Sequence, residues 1–246
     1  MVLGIDTATV TASVALVEEG KLKWEEVSPV SEQSRLCPGT MHRANHAETL
    51  LPLIHAVLKR TGLSLSEISA LAVSIGPGSF TGLRIGLSTV KGLAYGWKIP
   101  VVGVPTLLAL AVRVTNWEGL VCPFLDAKRR EVYAALFRKK GEILERLSGD
   151  LVSFPETIIQ RVVSSSDGTP CMFIGDGIKV YGGLIETSLG PNGVLTFGEA
   201  YPSTASAVAR LGEERIRKGE SDPLGTLVPL YIRRSEAELK KRLEKI

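Results

Sequence analysis

Cysteine is scarce in this chain. There are three, Cys37, Cys122 and Cys171, none in C-x-x-C spacing. An odd, scattered set excludes a disulfide framework and fits reduced thiols held for packing. Long apolar runs are also missing. The longest, IPVVGVPTLLALAV, carries Pro100 and Pro105 and falls short of the roughly 20 residues a membrane span needs. The opening MVLGIDTATVTASVAL reaches Asp6 at once and lacks the basic stretch of a secretory signal. A cytoplasmic protein with no membrane partner is expected. Nor does charge of one sign dominate. The formal net charge of +3 permits a nucleic-acid partner without arguing for one. Hydrophobic residues at 44% and charged residues at 22% of 246 are the proportions of a globular protein with one large domain or two small ones.

What is present is a repeated plan. VLGID reads as a short strand ending at Asp6, and ASVALVEEGKLKWEEV as two strands around a Glu-Glu-Gly turn. HAETLLPLIHAVLKRTG has apolar residues at helical spacing, with Gly62 as its stop. ISALAVSI reads as a buried strand, STVKGLAYGWK as a helix and IPVVGV as another strand. The pattern then restarts. IDTATVTASVALVEEGKL is echoed by LDAKRREVYAALFRKKGEI, so that Asp6 matches Asp126, and Val14-Ala15-Leu16 matches Ala134-Ala135-Leu136. SIGPGSFTGL is echoed by FIGDGIKVYGGL. Two elements recurring in the same order predict two lobes of similar α/β fold. Each sheet should mix an antiparallel hairpin with parallel strands. This is the duplicated actin-like (ASKHA) plan. One lobe is expected over residues 1–110 and the second over 111–246, with the final helix returning towards the first. Beyond residue 185, TSLGPNGVLTFGEAYPST reads as loop and ASAVARLGEERIRKG as an amphipathic helix.

The stretch SIGPGSFTGLRIGLST lies between a strand and a helix. In one reading its backbone N–H groups and the helix N-terminus hold an anion, with Ser79 and Thr81 donating and Arg84 pairing. In the other, Gly76, Pro77 and Gly78 shape a tight turn, Gly82 continues it, and Phe80 is a packing or partner-facing anchor. It is not a Walker A loop, because no Gly-Lys-Ser/Thr follows. Asp6, with Thr7 beside it, and Asp126 mark a candidate nucleotide cleft. Neither is followed by the Asp-x-Gly that lets backbone approach a phosphate, and hydrogen bonding of the strand ends is the alternative. HRANHAE sets His42 and His46 four apart, a helical spacing that suits zinc but equally suits a polar helix start. Arg233, Arg234 and the tail from Lys240 to Lys245 read as an RNA-facing patch or as a solvated helix paired with Glu236, Glu238 and Glu244.

IDTATVTASVALVEEG, HAETLLPLI, GPGSFTGLRIG, GVPTLLALA, LDAKRREVYAALF and PLYIRRSEAELKK occur in this order. Together they resemble the bacterial TsaB family, also called YeaZ, over nearly the whole chain. The resemblance implies a protein of threonylcarbamoyladenosine synthesis on tRNA, beside the anticodon of tRNAs that read codons starting with A. It implies a non-catalytic partner of the related transferase TsaD, with a TsaE ATPase joining and tRNA reached through the complex. No catalytic residue and no metal ligand is implied. Nothing is held tightly as a cofactor, and ATP or ADP would sit only at an interface of the complex. The helical interface of the family falls on helices over 43–60 and 80–96. This places His46, Leu50 and the residues Gly76 to Gly82 with Arg84 among the interface or anion-loop candidates. A homodimer is the expected alternative when the partner is absent. Catalytic relatives carry a His-x-x-x-His metal motif where this chain has GVPTLLALA, residues 103–111. Apolar atoms and one threonine hydroxyl make no metal site. The rival readings are an actin-like phosphotransferase or ATPase using Asp6 and Asp126 with Mg²⁺, and a metal-dependent peptidase.

Overall fold

Alternation along the first strand decides how the first lobe is layered. β1 (Val2–Asp6) points Leu3 and Ile5 to one side and Val2 to the other. β2 (Ser13–Glu18) returns antiparallel to β1, and β3 (Lys21–Val27) extends the hairpin. α1 (His46–Thr61) leads to β4 (Ala70–Gly76), parallel to β1. α2 (Phe80–Trp97) then leads to β5 (Val101–Pro105), parallel to β4. The sheet order is β3-β2-β1-β4-β5. These coordinates are a computed structural model, which describes residues 1–28, 46–196 and 203–233.

α3 (Thr106–Ala111) crosses to the second lobe. β6 (Gly119–Lys128) lies at its centre. β7 (Glu131–Ala134) and β8 (Phe137–Lys140) both run antiparallel to β6, one after the other. Between them the sheet forks at Ala135–Leu136. The Leu136 N–H donates to Ser148 Oγ at 2.9 Å and its carbonyl accepts from Leu147 at 2.8 Å, so both backbone groups of Leu136 are paired at the break. β9 (Ile143–Arg146) joins β8, and β10 (Leu151–Ser153) joins β7. α4 (Pro155–Ser166), β11 (Cys171–Ile174), α5 (Ile178–Leu189) and β12 (Gly193–Thr196) follow, with β11 and β12 parallel to β6. The path β10-β7-β6-β11-β12 repeats the order of the first sheet. The segment read as loop after residue 185 therefore holds the end of α5 and all of β12. The two hairpins are not in equal register. Val14 stands opposite Ile5, while Ala134 stands opposite Phe124, one residue further from its aspartate. The irregularity at Asp126–Lys128 causes this shift.

Two cores flank the first sheet. Leu3, Ile5, Val14, Leu16, Leu71 and Val73 pack under α1 and α2. On the other face, Val2, Ala70, Ala72, Val102 and Val104 pack against α3 and α6 (Ala205–Arg217). α6 approaches closely because the contact is built from small residues. A Cβ on Gly4 would lie 2.3 Å from the Ala205 carbonyl oxygen, and one on Gly212 would lie 2.4 Å from Ala72 Cβ. In the second lobe, α4 and α5 cover one face and α3 the other, through Leu107 and Leu110, with Val114 just beyond the helix, against Val121, Leu125 and Phe137. α3 thus belongs to the cores of both lobes. Cys122 and Cys171 sit in the second core, where burial pushes both thiols up and leaves them unreactive at neutral pH.

Candidate functional site

The C-terminal ends of β1 and β4 meet at the glycine loop, and close approach explains its sequence. The Ser79 N–H donates to the Ala8 carbonyl at 2.7 Å, and the Thr7 hydroxyl donates to the Gly82 carbonyl at 2.7 Å. A Cβ on Gly78 would lie 2.3 Å from the Ala8 carbonyl oxygen. One on Gly82 would lie 1.9 Å from that of Thr7, and one on Gly86 would lie 2.3 Å from Thr7 Oγ1. Any side chain at these positions would push α2 off the end of β1. Ser79 caps α2, its Oγ accepting the Gly82 N–H at 3.2 Å. Gly76 has φ +114° and precedes a cis bond to Pro77. The Gly76 N–H donates to Thr106 Oγ1 at 3.2 Å, which occupies the one hydroxyl of segment 103–111. Two of the loop donors a phosphate would need, Ser79 N–H and Gly82 N–H, are therefore already engaged.

Asp6 is fully buried. Its carboxylate accepts the Ala8 N–H at 3.0 Å, the Thr9 hydroxyl at 2.9 Å and the Thr204 hydroxyl. The last comes from the approach to α6, so Asp6 ties the first strand to the end of the chain. Asp126 faces the cleft, but Lys128 holds it. The Lys128 N–H donates to Asp126 Oδ1 at 2.8 Å, and the Lys128 ammonium pairs with Oδ2. The Asp126 N–H in turn donates to Asp176 Oδ1 at 2.9 Å. Burial, with Asp126 close by, raises the Asp176 carboxyl above the ordinary carboxylate range.

A strap closes one side of the cleft. Asp222 anchors its base, accepting from the Gly103 N–H at 2.7 Å and pairing with Arg215 at 3.1 Å. Leu227 is buried in the first core. The Leu230 N–H donates to the Ile75 carbonyl at 2.7 Å. Arg84 Nε donates to the Tyr231 hydroxyl at 2.9 Å, while its guanidinium lies 3.8 Å from the Phe80 ring centroid. Arg233 then reaches the second lobe, donating to the Ala127 carbonyl at 3.0 Å and pairing with Glu131. Between strap, glycine loop and hairpin lies a cavity of about 600 Å³.

The sequence candidates fall into three groups. Pro77, Gly78, Ser79, Phe80, Arg84 and Asp126 line the cavity. Gly76, Gly82, Asp6 and Thr7 hold its walls from behind. Thr81 is exposed on the first turn of α2. His46 is buried with its ring beside Gly82, and Leu50 is 1% exposed in the first core. Leu50 therefore cannot face a partner, and the exposed leucine of α1 is Leu51. His42, Arg234 and the tail from Lys240 to Lys245 lie outside the described residues. Sequence reasoning did not single out Lys128, Arg129, Tyr133, Asp176 or Tyr231, all of which line the cavity. The recurrence of Gly-x-Gly at residues 175–177 is the signal that could have drawn attention to Asp176, but nothing local marked Tyr231 as a cleft residue.

Two lobes of matching strand order, with their aspartate-bearing hairpins turned to one cleft, define a duplicated actin-like (ASKHA-type) protein. Comparison with protein families matches residues 37–241 to TsaD, tRNA N6-adenosine threonylcarbamoyltransferase. The Bacillus subtilis tRNA threonylcarbamoyladenosine biosynthesis protein TsaB is 30% identical over 97% of this chain and 96% of its own length. The Escherichia coli protein of the same name is 31% identical over 96% of each. Among solved structures, YeaZ from Pseudomonas aeruginosa superposes with a TM-score of 0.75 at 27% identity, covering 94% of this chain and 99% of its own. The chain belongs to the TsaB (YeaZ) family.

Proposed function

We propose that the chain is a non-catalytic partner of a TsaD-like transferase in forming threonylcarbamoyladenosine next to the anticodon of tRNA. The observation that carries this reading is the state of the polar groups inherited with the fold. Asp6 is saturated by Ala8, Thr9 and Thr204, Asp126 is bound by Lys128, and Thr106 is bound to Gly76. A phosphotransferase using both aspartates with Mg²⁺ would need those carboxylates available. What the chain offers instead is surface. Leu51 on α1 is 55% exposed, and Tyr95 and Trp97 at the end of α2 are 84% and 52% exposed. Apolar side chains on two neighbouring helices suit a helical partner, and a second copy of the chain uses the same face when that partner is absent. A TsaE-like ATPase joins the assembly, tRNA is reached through it, and ATP or ADP binds at its interfaces rather than tightly to this chain.

Reconstitution tests the reading. The TsaD-like subunit, the TsaE-like ATPase, ATP, threonylcarbamoyl-adenylate and tRNA are mixed with and without this chain, and modified adenosine is counted. Product that requires both subunits, with none from this chain alone, is the expected result. Product indifferent to its omission would refute the proposal.

A further inference from the structure

The strap grips the two lobes unequally. On the first lobe its hold is spread over many groups. The Asp222 N–H donates to the Val101 carbonyl at 2.7 Å, and Arg215 donates to the Gly103 carbonyl at 3.0 Å, so the outer edge of β5 is covered. Leu227 is buried, and the Leu230 N–H is bonded to Ile75. The Tyr231 ring lies 4.9 Å from that of Phe80, and its hydroxyl accepts from Arg84. On the second lobe the strap is held by the Arg233 side chain, which donates to the Ala127 carbonyl at 3.0 Å and pairs with Glu131. The two side chains of that pair are 23% and 28% exposed, so water and salt weaken it. Burial and the like charge of Arg129 hold the Arg233 guanidinium below its ordinary value. Arg233 also grips a stretch of costly backbone. Lys128, Arg129 and Arg130 have φ of +61°, +55° and +62°, and none is glycine. Such a conformation persists only where its surroundings impose it. Ala127 and Glu131 stand on either side of this run, so Arg233 bridges its ends.

The length of the strap turns these contacts into a constraint. The backbone from Leu230 to Arg233 extends at most about 11 Å. The end of β4 at Ile75 and the β6–β7 turn at Ala127 therefore cannot part far before one anchor breaks. The Leu230 anchor is backed by a buried leucine and an aromatic contact, and the Arg233 anchor is a single half-buried side chain, so Arg233 yields first. We propose that the strap is a catch between the lobes. With Arg233 seated on Ala127 and Glu131, the mouth of the cleft is held at one width. Unseating Arg233 lets the 128–130 turn relax and the lobes part about α3, which both cores share. Tyr231 ties the same strap to Phe80 and Arg84, so the catch is set from the start of α2. The inference concerns the motion of this chain alone; it goes beyond the partner role proposed above and does not rest on it.

Double electron–electron resonance on the whole chain reads the width of the mouth. Spin labels are carried by Ser88→Cys on α2 and Lys179→Cys on α5, both exposed. Cys37→Ser removes one native thiol, and Cys122 and Cys171 are buried and take no label. The otherwise unaltered chain should give one narrow distance distribution. Arg233→Ala should add a longer component, raising the open population about tenfold or more, the effect of losing a charge-assisted hydrogen bond. Glu131→Gln keeps the packing and removes the ion pair, and should raise it about threefold. Arg161→Ala on α4 should change nothing. Hydrogen exchange supplies the second readout, with the Leu230 amide and those of residues 128–132 exchanging faster in the same variants and in the same order. A distribution unchanged in both Arg233→Ala and Glu131→Gln overturns the inference. So does one that is already broad in the parent chain. Faster exchange of the turn without longer distances also overturns it, because Arg233 would then be a local brace and the lobes would be held by other means.

Discussion

Replacing Gly82 by alanine adds one methyl group where the structure has no room. The new Cβ would stand 1.9 Å from the Thr7 carbonyl oxygen and 3.1 Å from His46 Cδ2. The first contact is to backbone at the end of a central strand, which cannot rotate away. Relief requires α2 to lift from β1, which breaks the Thr7–Gly82 and Ser79–Ala8 hydrogen bonds, each 2.7 Å long. Overpacking costs about 1–3 kcal/mol and each buried hydrogen bond about 1 kcal/mol. The sum is about 3–5 kcal/mol, or a fall in Tm of roughly 6–20 °C for a chain of this size. The control lies in the same helix. A Cβ on Gly92 has no neighbour within 4 Å, so Gly92→Ala should gain about 0.5–1 kcal/mol of helix propensity and raise Tm by roughly 1–4 °C. Differential scanning calorimetry of both variants decides the matter. If Gly82→Ala were as stable as Gly92→Ala, the glycines would not be there for close approach, and the anion-loop reading would regain its ground.

Two further predictions concern the aspartates. Asp6→Ala strands the Ala8 N–H and the Thr204 hydroxyl in a buried site, at a cost of about 2–3 kcal/mol, so urea titration should show a clear fall in the midpoint; an unchanged midpoint would contradict the capping role. Burial raises the Asp176 carboxyl in the folded state above its ordinary value, so above that ordinary value the native state holds its proton longer than the unfolded chain and stability falls as pH rises. Asp176→Asn keeps an acceptor for the Asp126 N–H, and its thermal stability should match the parent at pH below about 3.8 and exceed it at neutral pH. Equal midpoints at both pH values would show that the carboxyl is well solvated.

The first strand, the glycine loop and the repeat were legible because they are written locally. Asp6 ends an apolar run, Gly62 and Gly76 take positive φ where a helix and a strand stop, and the Gly-x-Gly after β4 returns after β11. β12, β9 and β10 were not legible. They are three or four residues long, too short for alternation to register, and their pairing is set by neighbours distant in sequence. The state of the site was hidden for the same reason. Thr204 lies 198 residues from Asp6, Tyr231 lies 147 from Arg84 and Arg233 lies 106 from Ala127. No local spacing announces such contacts. Leu50 and Leu51 are adjacent and chemically identical, and only the phase of α1 against the sheet buries one and exposes the other.

The return of α6 to the first sheet sets the order in which the chain can mature on the ribosome. β1 to β5 emerge early, with α3 directly behind them, but Val2, Ala70, Ala72 and Val104 receive the rest of their cover only when residues 205–217 follow. At roughly 5–20 residues per second, the intervening hundred or so residues take on the order of ten seconds to synthesise. Throughout that interval much of one apolar face of a finished sheet lies open to solvent. The first lobe is thus first to be made and last to be completed, and nascent chains halted before residue 205 are the species in which chaperones should be found bound.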